Sequence, residues 1–127
     1  SKPVEVKLKQ LATLVSKKVK VVDSKARLQI HLAAVFACNF TNAMYVSAYE
    51  IIENSLSKKD TDLLLPIMQH SFQKLQKVHP VKAQTGPAMR DDKLKMKKHL
   101  DLIKNNKQLT QVYKTLSDLI VTQQHLK

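Results

Sequence analysis

Apolar residues recur along this chain at helical spacing, in stretches separated by short polar connectors. Val4, Leu8, Leu11 and Val15 predict a first amphipathic helix over 3–18, opened by Pro3. The connector VKVVDS has β-branched character but is too brief for a sheet of its own, and Asp23 or Ser24 can cap the next helix. That second helix is predicted over 24–54, roughly 45 Å long at 1.5 Å per residue. Its 27–52 segment, RLQIHLAAVFACNFTNAMYVSAYEII, is apolar almost all round, which predicts burial on most sides. The pairs Ala33/Ala37 and Ala34/Cys38 are small residues four apart, so another helix can approach closely there, in a core or in a dimer seam.

SLSKKDTD is a polar linker with Asp60 and Thr61 as cap candidates. Leu63, Leu64, Ile67, Met68, Leu75 and Val78 then define a third helix to about residue 77, with Pro66 tolerated in its first turn. Residues 79–89, HPVKAQTGPAM, concentrate Pro, Gly and polar side chains and read as a loop. Asp91 or Asp92 can cap a fourth helix to Ile103, with Met96, Leu100 and Ile103 facing inward, and Asn105 and Asn106 break it. A fifth helix over 107–124 carries Leu109, Val112, Tyr113, Leu116 and Ile120 on one face.

Composition supports an all-α domain of about five helices around the long one. The 127 residues suit one domain, and an apolar share of 43% is enough for a single core. One Gly and four Pro leave few sharp turns, which argues against a β-sandwich. A lone cysteine, Cys38, forms no intrachain disulfide; it reads as a small buried hydrophobe and suits a reducing cytoplasm. No stretch has the layout of a signal peptide or the ~18 apolar residues of a membrane span. The net charge of +12 would attract anions, with Lys93, Lys95, Lys97 and Lys98 the densest cluster. With only two arginines, Arg27 and Arg90, base reading has little raw material, so solvated helix faces explain the charge better than nucleic acid does.

At 100° per residue, His31, Val35, Cys38, Asn42 and Tyr49 fall within about 20° of one azimuth of the long helix, and Asn39 lies about 80° away. An imidazole and amides along one face either converge on a ligand cavity or are satisfied within the core. Metal binding is disfavoured, because His31 has no second ligand at metal spacing and His70, His79, His99 and His125 are scattered. A His31–Cys38 dyad fails on distance, about 10 Å along the axis. Neither a hydrolase triad nor a nucleotide-binding glycine loop is present. In the AQTGPAMRDD segment, Gly86 permits positive φ, Pro87 stiffens the exit and Arg90 offers a fork for an anion. The alternative is a capping turn with Arg90 paired to Asp91 or Asp92.

The segments HLAAVFACNFTNAMY, LLLPIMQHSFQK, KAQTGPAMRDD and KKHLDLI, in this order, resemble the C-terminal helical domain, a domain of unknown function, of Rossmann-type NADP oxidoreductases. The resemblance runs from about Leu8 to Ile120. It implies a fold similar to the C-terminal domain of 6-phosphogluconate dehydrogenase, in which the long helix lines a cleft and builds a homodimer. It also implies an N-terminal Rossmann domain of roughly 130 residues that binds NADP or NAD and is not part of this sequence, which opens with SKPVEVK where such a domain would be ending. The family's characteristic polar positions fall on His31, Asn39 and Asn42, and on Gln84, Thr85, Gly86, Pro87, Arg90 and His99. In related hydroxyacid dehydrogenases a catalytic Lys stands four positions before an Asn; here Val35 and Cys38 occupy those places, so that mechanism does not transfer.

The expectation is a substrate-binding and dimerisation domain of an NAD(P)-dependent oxidoreductase, inactive without its Rossmann domain. His31 would serve as proton donor or acceptor, and Asn39, Asn42, Gln84, Thr85 and Arg90 would bind a small polar substrate. The alternative is a helical interaction module without enzymatic role.

Overall fold

The computed structural model describes residues 2–124. His125 therefore lies outside the described residues. The described residues are all-α, with no strand among them. In chain order they form α1 (Lys2–Val15), α2 (Ser24–Ala34), a π-helical segment (Val35–Phe40), α3 (Thr41–Ser55), a 3₁₀ segment (Lys58–Leu64), α4 (Leu65–Leu75), α5 (Pro80–Ala83), α6 (Lys93–Ile103) and α7 (Lys107–Gln123). The chain divides into two compact units, the first ending at Val46 and the second beginning at Ser47.

Helix starts follow local chemistry. Asp23, in extended conformation, accepts from the Ala26 amide at 2.7 Å and caps α2. Asp92 accepts from the Lys95 amide at 3.0 Å at the start of α6, and Asn106 from the Leu109 amide at 2.9 Å at the start of α7. Each satisfies an amide that the first helical turn leaves without a partner. The residue that ends one predicted helix thus begins the next. Asp60 acts differently from expectation: it accepts from the Ser57 hydroxyl at 2.6 Å inside a 3₁₀ segment, and α4 proper begins only at Leu65, with Pro66 in its first turn. The predicted loop 79–89 contains the single helical turn α5, which Pro80 starts.

From the first unit, α2 runs without a break into the π segment and then α3, whose residues from Ser47 on belong to the second unit. The predicted long helix is therefore present, but its register is not uniform. The widened turn is visible in the Thr41 hydroxyl, which donates to the Phe36 carbonyl five residues back at 3.2 Å. Phe36 and Phe40 meet edge to face on this segment, ring centroids 5.0 Å apart.

Burial of this helix is the expectation that fails. Leu28 is 68% and Phe36 60% exposed, and Leu32, Phe40 and Val46 are also open. Cys38, read as a small buried hydrophobe, is exposed as well. An all-round apolar pattern records that a helix is covered in its working state; it does not say that the covering residues belong to the same chain. Among the described residues Ala88 is the one buried apolar side chain.

The second unit holds together by packing and by side-chain bonds between elements. α6 packs on α7 and α4 on α5. Met96, Leu100 and Ile103 are half-buried as predicted, as are Leu109, Val112, Tyr113 and Ile120, whereas Leu116 stays exposed. The Thr110 hydroxyl donates to the Ile103 carbonyl at 3.1 Å, closing the turn between α6 and α7. Gln124 reaches back to donate to the Met89 carbonyl at 3.1 Å, tying the end of α7 to the loop before α6.

Candidate functional site

The polar residues singled out above fall into two groups, one in each unit. His31 lies on α2, Asn39 in the π segment and Asn42 in the first turn of α3, and all three are exposed. The sequence posed a choice between groups bonded inside a core and groups open to a ligand; in this chain none of the three is enclosed. Their predicted alignment also changes. A π turn takes up one extra residue, which sets everything after it back by roughly 100°. Asn42, predicted within about 20° of His31, therefore lies roughly a quarter turn away from it, a phase error that spacing alone could not reveal. π-helical turns of this kind occur often at functional sites.

The second group occupies the turn between α5 and α6. Gln84 ends α5, and its side-chain amide donates to the Thr85 carbonyl at 2.9 Å. Gly86 follows at φ +112°, a region L side chains rarely adopt, and a Cβ built there would meet nothing within 4 Å. This glycine serves a backbone angle and makes no close approach to a partner. The chain then folds back on Pro87, whose carbonyl accepts from the amides of Arg90 and Asp92 at 3.2 and 2.9 Å. Asp91 sits at φ 50°. The guanidinium of Arg90 is exposed and pairs with no carboxylate among the described residues. Asp91 instead meets Lys93 at 3.6 Å, an exposed pair, and Asp92 is committed to capping α6. The capping turn foreseen as the alternative is thus real, but it leaves Arg90 free.

Between α5 and the end of α7 lies a cavity of about 150 Å³, with Gln84, Gln123 and Gln124 as its polar lining and Val81, Met89 and Ile120 among its apolar walls. Sequence reasoning missed a further pair. His99 of α6 and Tyr113 of α7 are joined through Nδ1 and the phenol oxygen at 3.0 Å, their rings edge to face with centroids 5.9 Å apart. Burial pushes the Tyr113 phenol above its ordinary value. Both residues occupy inward positions of their helices, which is the signal that could have suggested the contact.

No dinucleotide cradle exists among these residues. A pyrophosphate needs a glycine-rich turn opening a helix, and the chain's single glycine stands in a turn with open space at its α-carbon and no helix start beside it. Among the described residues no three His, Cys, Asp or Glu side chains gather as metal ligands, and no helix is long and apolar enough to cross a membrane.

An all-α domain whose longest helix stays uncovered, and whose polar turn has an unpaired arginine, is the class this geometry defines. The chain belongs to the family described as a domain of unknown function (DUF2520), matched over residues 1–120. It is also similar to a crystal structure from Bacteroides fragilis whose description reads "putative NADP oxidoreductase", at 36% identity and a TM-score of 0.85. The match covers 91% of this chain and 44% of that one, so the chain spans less than half the length of its solved relative. No curated protein matches it.

Proposed function

We propose that this chain is the substrate-binding and dimerisation domain of a cytoplasmic NAD(P)-dependent oxidoreductase, with the dinucleotide bound by a separate Rossmann domain. The observation that carries this reading is the likeness to the solved oxidoreductase: 36% identity over nearly the whole of this chain, on less than half of that one. Two features of the molecule support it. The chain's own residues do not fit a dinucleotide, and its longest helix exposes apolar side chains that a partner surface would cover. That partner is a second copy of the protein, seated on the α2–π–α3 helix through the small residues Ala33, Ala34, Ala37 and Cys38.

In this reading the dinucleotide supplies or takes a hydride, and the substrate centre left behind must gain or lose a proton. His31 is the group proposed to exchange it, since its imidazole is accessible and an imidazole is suited to proton transfer near neutral pH. Asn39 and Asn42 offer amides to a polar substrate from the same helix. In the second unit, Gln84, Thr85 and Arg90 offer an amide, a hydroxyl and an unpaired guanidinium.

The test is NADPH consumption by the full-length protein against a panel of small carbonyl and imine substrates. A turnover that His31→Gln lowers about hundredfold or more, with the dinucleotide affinity unchanged, is the expected result. Activity untouched by His31→Gln removes the proton-transfer role, and activity of the 127-residue chain alone overturns the division of labour.

A further inference from the structure

A second concavity also borders α5. Between α4 and α5 runs an open groove of about 500 Å³, bounded by Ile67, Leu75, Pro80 and Ala83 and carrying the polar groups of His70, Lys74 and Thr85. His70 and Lys74 are four apart on α4, which puts them on one face of the helix. Lys74 is half-buried, and its ammonium donates to the Ala83 carbonyl at 3.1 Å, a bond that fixes the charge at the groove and leaves two further N–H donors. The His70 ring and the Thr85 hydroxyl have no hydrogen-bond partner among the described residues. No Asp or Glu lines the groove.

From this arrangement we infer that the α4–α5 groove binds a small monoanion, a carboxylate carrying a short apolar chain. One held ammonium matches one negative charge, and an imidazole and a hydroxyl supply additional hydrogen bonds to its oxygens. The walls of Ile67, Leu75 and Pro80 give an apolar tail a surface to cover. A more highly charged anion would find only one compensating cation. Because Thr85 and the neighbouring Gln84 belong to the turn assigned to substrate above, the inference rests on that reading for the ligand's role, though not for its binding.

The experiment measures butyrate binding to the purified protein without dinucleotide, by calorimetry and by amide chemical shifts. Saturable binding is expected, weakened about tenfold or more by Lys74→Met through loss of a charge-assisted bond. Lys82→Met, which removes a nearby lysine outside the groove, should change affinity less than about twofold. The inference is overturned by absence of saturation, by equal losses in both lysine variants, or by tighter binding of inorganic phosphate or butylammonium. Should Lys74→Met fail to fold, Thr85→Val and His70→Asn decide, and unchanged affinity in both sinks the site. Butyrate binding in a protein that never oxidises NADPH would leave the groove standing and remove the oxidoreductase reading; the converse result would do the opposite.

Discussion

The two units of this chain are ordered by different means. In the first, the side-chain hydrogen bonds seen are local, from the Ser16–Lys18 turn through the Asp23 cap to the Thr41–Phe36 bond across five residues. In the second, comparable bonds link separate elements: Lys74 to Ala83, His99 to Tyr113, and Gln124 to Met89 across 35 residues. The buried side chains follow the same division, since Thr61, Ala88 and Ser117 all lie in the second unit. Helical order needs only local bonds and propensity, whereas a stable helix in water needs its apolar face covered. The second unit covers part of its own faces; the first leaves Leu28, Phe36 and Val46 exposed.

That contrast can be broken most directly at the exposed helix. Phe36→Glu places a charge amid apolar side chains, and sedimentation at micromolar concentration should show the proposed dimer dissociating, its dissociation constant raised about thirtyfold or more. A variant as dimeric as the parent protein would mean that the seam lies elsewhere. The next effect belongs to the second unit alone. Gly86→Ala forces a side chain to φ +112°, with open space around it, so strain of about 1–2 kcal/mol should lower the denaturation midpoint without any steric clash. An unchanged midpoint would show that the turn relaxes freely.

Two capping variants sharpen the comparison further. Asn106→Ala should cost about 1 kcal/mol of global stability, because α7 is bound into its unit by packing. Asp23→Ala, at an equivalent cap in the first unit, should chiefly speed amide exchange in the first turn of α2 and move the global midpoint less. Equal shifts in both would show that the units unfold together.

The smallest effect concerns pH. The folded state raises the Tyr113 pKa above its ordinary value of 10.0, so folded protein holds that proton more tightly than unfolded protein does. The associated stability is fully present below pH 10 and is lost as pH rises through the folded value. Tyr113→Phe removes both this alkaline loss and the hydrogen bond to His99, at a cost of about 1 kcal/mol. An alkaline transition unaltered in Tyr113→Phe would assign it to other groups.

Much of the secondary structure was legible because its causes are local. Asp23 and Asp92 announce helix starts within three residues of the amides they satisfy, Asn106 marks the break before α7 that it also caps, and Met96, Leu100 and Ile103 mark the inward face of α6 by spacing alone. The candidate site was legible only as a set of residue types. His31, Asn39 and Asn42 were found as polar interruptions of an apolar helix, but their azimuths depended on a constant turn that the π segment does not keep. Arg90 was seen as either a free fork or a paired cap; its freedom followed from where Asp91 and Asp92 were drawn, which the sequence left open.

By itself, then, the sequence determined the helical class, most helix starts, the inward stripes of α6 and α7 and the glycine on which the α5–α6 turn depends, since each follows from interactions spanning a few residues. The tertiary structure decided what no local rule reaches: that the longest apolar helix stands uncovered, that His99 meets Tyr113, that Gln124 holds Met89, and that α4 and α5 enclose a groove around Lys74. Those outcomes depend on which distant surfaces come together, and burial, unlike helix initiation, is set by the partner as much as by the residue.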